Sequence, residues 1–208
     1  EGLADRLEAV VFDIGNVLVQ WDPRHLYRKV FASEAEMEAF LGEVCTMEWH
    51  LEHDRGLSFA ENAARLKSRH PDKAGLIDLW GERYGEMVPD RVADVASLVE
   101  ALDAAGIALH GLTNMPVGFF PELCGRFPEL RRLRKTVVSG EEGLMKPDAA
   151  IYEVLIGRAG LTPARTLFID DSPRNVEAAL RLGFLGHRFT GAGELAAELR
   201  SLGLLRPS

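Results

Sequence analysis

Four short stretches of this 208-residue chain put oxygen or nitrogen ligands where an apolar run ends or a helix begins. Asp13 closes the run Ala9-Val10-Val11-Phe12, and Thr113-Asn114 follow Ile107–Leu112. Lys146-Pro147 stand at a helix entrance, and Asp170-Asp171 close Thr166-Leu167-Phe168-Ile169 ahead of Ser172-Pro173. A carboxylate placed like Asp13 can attack phosphorus. Adjacent carboxylates are hard oxygen ligands of the kind Mg²⁺ takes one or two of, filling its other positions with water and substrate oxygens. A hydroxyl and backbone amides at a helix start suit an anion, and a lysine brings a cation to a phosphate.

Each feature alone has a plainer explanation. A strand-end aspartate commonly caps a turn, Asp171 or Ser172 can cap the helix that follows, as Thr113-Asn114 can cap the one opening at Pro116, and most lysines are solvated. Capping explains one of Asp170 and Asp171 well and both poorly, because two carboxylates opposite a third would repel without a cation. The order Asp, Thr, Lys, Asp-Asp at successive strand ends and helix entries favours chemistry over coincidence.

The elements that must position these residues follow from apolar periodicity. Strands are expected at residues 9–13, 107–112, 136–139, 166–170 and, more weakly, 184–189. Most are separated by helical patterns, such as Val95, Leu98, Val99 and Leu102 before Gly106, Tyr152, Leu155 and Ile156 before Gly160, and Leu195, Leu199 and Leu202 near the end. Strands alternating with helices predict an α/β fold with a doubly wound, mostly parallel sheet, whose ligands bind at the carboxyl ends of its strands. About ninety residues separate the first strand from the second, more than a crossover helix needs. Capping boxes at Ser33/Glu36 and Ser58/Glu61, with further helical patterns at 24–31 and 73–87, read this segment as a small helical bundle. The expected organisation is an α/β core from residues 1–19 and 90–208 and a helical cap from 20–89, hinged at Leu18–Asp22 and Val88–Asp90.

Composition narrows the partners. With 47% hydrophobic and 27% charged residues, the balance is that of a globular protein. A formal net charge of −8 disfavours a nucleic-acid backbone, and the basic run Arg131, Arg132, Arg134, Lys135 reads as a solvated face. Cys45 and Cys124 fit no metal or disulfide spacing, nothing at the start reads as a secretion signal, and no apolar run reaches the roughly 20 residues of a membrane span. A cytoplasmic protein acting on a small phosphorylated molecule is expected; oligomeric state is not legible.

The motif order resembles the haloacid dehalogenase superfamily, which shares it along a Rossmann-like core and has a large branch with a helical cap after the first motif. The resemblance implies Asp13 as a nucleophile forming an aspartyl-phosphate, Thr113 holding a phosphate oxygen with Asn114 beside it, and Lys146 steadying nucleophile and phosphate. It implies Mg²⁺ on Asp170, Asp171, Asp13 and the Gly15 carbonyl, with Asn175 orienting the site. One position departs from the family pattern. Most phosphatases of this superfamily carry a second Asp two residues after the nucleophile as general acid and base, a role worth about 10²–10⁴-fold, and here that residue is Gly15. The variant Asp13-Ile14-Gly15-Asn16-Val17 resembles a bacterial branch that includes glucose-1-phosphate phosphatases, whose leaving oxygen is less basic. Alternatively a cap residue takes over: Trp49, His50, Asp54 and Arg55 lie in Glu48–Gly56, read as a segment between two helices, with Trp49 and His50 as substrate contacts and His50 as proton carrier by its ordinary pKa. A 2-haloacid dehalogenase using Asp13, or a binding module without turnover, are the rivals to a magnesium-dependent phosphatase, for which a sugar phosphate is the favoured substrate.

Overall fold

The computed structural model describes residues 7–206. Strand β1 (Ala9–Phe12) is followed by five α-helices: α1 (Arg24–Tyr27), α2 (Glu34–Glu43), α3 (Met47–Asp54), α4 (Phe59–Lys67) and α5 (Ala74–Glu82). The chain then continues as α6 (Val95–Ala104), β2 (Ala108–Thr113), α7 (Phe119–Arg126), β3 (Lys135–Val138), α8 (Ser139–Glu142), α9 (Ala149–Ala159), β4 (Thr166–Asp170), α10 (Pro173–Arg181), β5 (Leu185–Arg188) and α11 (Ala192–Ser201). The five strands are parallel in the order β3-β2-β1-β4-β5. Because successive side chains in a strand face opposite ways, Val10, Phe12, Leu109, Leu167 and Ile169 enter one apolar cluster and Val11, Leu112, Val137 and Phe168 enter another. Val99, Leu102, Leu123, Leu195 and Leu199 cover the first face from α6, α7 and α11, and Ile151, Leu155, Ala178 and Ala179 cover the second from α9 and α10. The sheet is therefore buried on both sides, as an all-parallel sheet requires.

Strand order reverses at β1: the chain moves outward through β2 and β3, then crosses back to place β4 on the other side. A crevice opens at the carboxyl ends of such a pair. Phe12 pairs with Ile169, and the Asp13 amide donates to the Ile169 carbonyl at 2.8 Å, which sets Asp13 level with Asp170 across that crevice.

Helices α2, α3 and α4 start where hydroxyl side chains accept backbone N–H groups, Ser33 from Glu36, Thr46 from Trp49 and Ser58 from Glu61. Residues 47–54 are thus a helix in their own right, not a connection between two helices; the Thr46 cap is the sequence signal for it. The pattern at 24–31 gives only the short α1, because Lys29 and Val30 donate to carbonyls three residues back and tighten the turn. The pattern at 73–87 divides into α5 and a 3₁₀ turn at Tyr84–Met87. Two other helices begin later than expected: α7 starts at Phe119 after Gly118 at φ +79°, and α9 starts at Ala149 after a cis Lys146–Pro147 bond, so neither Pro116 nor Pro147 occupies a first helical position.

Tyr27, Phe40, Trp49 and Trp80 build the interior of the insert, with Trp49 edge-on to Trp80 at 5.2 Å between ring centroids. This interior belongs to the same apolar cluster as one face of the sheet. The two connecting segments run antiparallel and bond to each other: Gln20 N to Asp90 O at 2.9 Å, Asp22 N to Met87 O at 3.0 Å and Val92 N to Leu18 O at 2.9 Å. A further contact fixes the end of α3 on the core. Gly56 has φ +109°, and a Cβ there would lie 2.8 Å from the Gly140 carbonyl oxygen of α8. Gly56→Ala is expected to destabilise the fold by about 1–3 kcal/mol through strain and this clash; an unchanged urea midpoint would contradict the contact.

Candidate active site

Lys146 is the hub. Its ammonium, buried beneath the strand ends, lies 2.9 Å from Asp13 Oδ1 and 2.7 Å from Asp170 Oδ2, and donates to the Leu112 carbonyl at 2.7 Å. Asn114 clamps its backbone from both sides: Oδ1 accepts from Lys146 N at 2.9 Å and Nδ2 donates to Lys146 O at 3.0 Å. That clamp holds Lys146 outside α9. Asp170 is held in turn by the Ser172 amide at 2.9 Å and by Asn175 Nδ2, which lies 3.1 Å from each carboxylate oxygen.

Burial governs the charges. It pushes the Asp13 carboxyl up to about 7, against the pull of Lys146 and with repulsion from Asp170 and Asp171 adding to the rise. Asp171 is likewise raised, first by burial and then by Asp170. Burial alone would lower Lys146, yet attraction to Asp13 and Asp170 outweighs it and leaves the ammonium raised. Asp13, Asp170 and Asp171 each offer an oxygen within 4.8 Å of the others. Three hard oxygen donors facing one lysine leave negative charge in excess, which is the donor set and charge that suit Mg²⁺. Gly15 lines the cavity beside them.

The cavity above this cluster, of about 160 Å³, is shared between core and insert. Asp13, Gly15, Asn16, Asn114, Lys146, Asp171 and Asn175 form its floor, and Trp21, Met47, His50, Asp54 and Tyr84 close over it, with Val88, Met115 and Phe119 at its sides. Of the residues singled out in the sequence, Thr113, Trp49, Arg55 and Asp170 are not on this wall, Asp170 being fully buried against Lys146. Thr113 is buried at the end of β2. Trp49 instead fills the insert, its indole N–H donating to the Asn62 carbonyl at 3.3 Å, because it lies on the side of α3 turned to α4 and α5. His50 does reach the cavity and stacks on Trp21 at 4.9 Å; burial, reinforced by His53, pulls its pKa down to about 3, which favours the neutral ring and lies below the ordinary pKa on which its reading as proton carrier rested. Sequence reasoning missed Trp21, Tyr84 and Phe119. Trp21 Nε1 donates to the Tyr84 hydroxyl at 3.0 Å, and its amide donates to Asn16 Oδ1 at 2.9 Å from a residue at φ +60°. An asparagine after Asp-Ile-Gly is a signal for that left-handed turn; nothing in the sequence announces Tyr84, which arrives from a distant 3₁₀ turn.

A buried lysine and three carboxylates thus meet at the switch point of a Rossmann-like sheet. The chain belongs to the haloacid dehalogenase-like hydrolase family, whose profile matches residues 7–183. It is 27% identical over 197 residues to a sesquiterpene phosphatase of Aspergillus oryzae, covering 94% of this chain and 96% of that one. It is 29% identical over 203 residues to flavin mononucleotide hydrolase 1 of Arabidopsis thaliana, covering 96% and 79%. The fold matches a haloacid dehalogenase family enzyme of Bacteroides thetaiotaomicron, solved as a magnesium complex, with a TM-score of 0.69 at 19% identity over 93% of this chain and 98% of that one. Among the described residues, no helix is long and apolar enough to cross a membrane.

The raised Asp13 pKa has a stability consequence in metal-free protein. Its folded value of about 7 lies above the ordinary 3.8, so the native state holds an extra proton between them; the associated stability is complete below about pH 4 and is lost as pH rises through 7. In EDTA, Asp13→Asn should therefore gain stability relative to wild type on going from pH 5 to pH 8, by on the order of a few kcal/mol. Urea unfolding at the two pH values checks this, and a pH-independent difference would contradict it.

Proposed function

We propose that this chain is a Mg²⁺-dependent phosphatase that transfers the phosphoryl group of a small phosphomonoester to Asp13 and then to water. The observation that carries the reading is Lys146 Nζ within 2.9 Å of Asp13 and 2.7 Å of Asp170, with the three-carboxylate cluster beside it. Bound Mg²⁺, held by Asp13, Asp170, Asp171 and the Gly15 carbonyl, would supply positive charge to the phosphate oxygens. Lys146 orients the Asp13 carboxylate and faces the same oxygens, while Asn114 and Asn175 keep Lys146 and Asp170 in place. Positioning and charge neutralisation are the main demands of phosphoryl transfer. Thr113 is a phosphate contact by family resemblance alone, since at the end of β2 it is buried off the cavity wall. The acidic triad and the phosphatases among the relatives favour this reading over displacement of halide and over a binding module.

We also infer that residues 20–89 act as a cap whose hinges are the paired segments 18–22 and 88–90, excluding water during transfer. The walls presented by Trp21, Tyr84 and Phe119 suit an alcohol with an apolar or ring face. A sugar phosphate meets that demand through the C–H face of its ring, and a planar or isoprenoid phosphate does so by direct apolar contact. Free Cys45 and Cys124 accord with a reducing, cytoplasmic setting.

Release of inorganic phosphate from a panel of sugar, nucleotide, flavin and isoprenyl phosphates should require Mg²⁺ and stop with EDTA. Asp13→Asn should lower it by roughly three orders of magnitude or more, as loss of a nucleophile does. Release that survives the substitution would refute Asp13 as nucleophile.

A further inference from the structure

Position 15 carries no acid, so the leaving oxygen needs a proton from elsewhere. The cavity has one unassigned acidic group on the side opposite Asp13. Asp54, in the last turn of α3, is buried at 5% exposure and lines the same cavity as Asp13 and Lys146. Its Oδ1 has no hydrogen-bond partner. His50 Nε2 stands 3.6 Å from that oxygen, beyond hydrogen-bond reach, and His50 is neutral, so the pair is not a salt bridge.

A chain of buried hydrogen bonds orders the side chains beside Asp54. Asn62 Nδ2 donates to the Trp49 carbonyl at 2.9 Å, which can only accept, so the orientation of the Asn62 amide is determined. The same Nδ2 lies 3.0 Å from His53 Nε2, which must then accept, leaving the His53 proton on Nδ1. His53 Nδ1 lies 3.2 Å from His50 Nδ1, which accepts in turn and puts the His50 proton on Nε2, facing Asp54 Oδ1. That N–H faces Oδ1 across 3.6 Å without bonding it, which favours an acid proton on Oδ2 over one on Oδ1. The Gly56–Gly140 contact, two residues beyond Asp54, presses this end of α3 against the core.

Resting on the phosphatase reading above, we propose that Asp54, delivered by the inserted helix α3, is the general acid and base that Gly15 does not provide, with His50, His53 and Asn62 as its positioning residues. In the first step the ester P–O bond breaks as the Asp13–phosphorus bond forms, and the Asp54 proton passes to the leaving alkoxide. In the second, the Asp54 carboxylate takes a proton from the water that attacks phosphorus, releasing inorganic phosphate, freeing Asp13 and restoring the Asp54 acid. Burial supports the acid form by pushing the Asp54 carboxyl up to about 7, against the pull of Lys146 and Arg55. The other titratable groups around it are His50 on its own helix, Tyr84 from the 3₁₀ turn, whose hydroxyl is raised well above its ordinary range by burial, and Asp13 and Asp171 across the cavity.

The test compares an alkyl phosphate, whose leaving group needs a proton, with p-nitrophenyl phosphate, whose leaving group does not, in wild type, Asp54→Asn and Asp54→Ser. Two variants are read so that a folding failure in one leaves the other, with thermal unfolding as the control. The expected result is loss of alkyl phosphate turnover by about 10²–10⁴-fold, with p-nitrophenyl phosphate still giving a rapid burst of one nitrophenolate per enzyme. Slow turnover then follows, and acid-quenched phosphoenzyme, seen by mass, accumulates because the second step lacks its base. Unchanged alkyl phosphate turnover, or equal loss on both esters with no burst and no phosphoenzyme, would overturn the assignment. Absence of any phosphate release by the wild type would instead refute the phosphatase reading itself.

Discussion

One buried ammonium among carboxylates is the interaction on which the rest depends. Asp13, Asp170 and Asp171 converge at the carboxyl ends of β1 and β4, where like charges in low dielectric are costly. Lys146 spans two of them and ties the pair to the Leu112 carbonyl of β2, so the ammonium joins three adjacent strands. Removing water makes this arrangement expensive when incomplete and strong when complete, which is why every remaining polar partner is also fixed: Asn114 on Lys146, Asn175 and the Ser172 amide on Asp170. The sheet order supplies the place, since only a strand reversal at β1 brings Asp13 and Asp170 to one crevice.

The insert adds what the sheet cannot. Its aromatic interior continues one core of the sheet, and its two connections to the core are bonded to each other, so it stands over the carboxylates in a defined register. Through it the cavity gains an apolar wall from Trp21 and Tyr84 and a second polar feature, Asp54 beside the Asn62–His53–His50 chain. Floor and roof thus differ in character: the lysine and the clustered carboxylates lie below, and an aromatic wall with one isolated carboxyl lies above.

Much of the floor was legible because strand-end chemistry leaves a local record. The run ending at Asp13 and the pair Asp170-Asp171 followed by Ser172-Pro173 located β1, β4 and the carboxylates at their ends, and β4 spans the residues its apolar run marked. The role of Asn114 as the clamp on Lys146 was not legible, since it joins residues 32 apart in sequence. The roof was read least well. Trp49 and His50 are adjacent but a helix turns them to different sides, so Trp49 packs inward while His50 meets the cavity; missing the Thr46 cap concealed that helix and its direction. Asp54 shares the cavity face with His50 because they are one turn apart on α3, a relation visible only once the segment is known to be helical.

We propose that Asp13 is a nucleophile whose phosphorylated state forms over a cation held by Asp170 and Asp171. The most direct measurement is a crystal structure with Mg²⁺ and beryllium fluoride, a mimic of a phosphorylated carboxylate. The expected result is beryllium bonded to an Asp13 carboxylate oxygen, Lys146 against its fluorides, and Mg²⁺ among Asp13, Asp170 and Asp171. Beryllium fluoride on another residue, or a carboxylate triad that takes up no Mg²⁺, would contradict it.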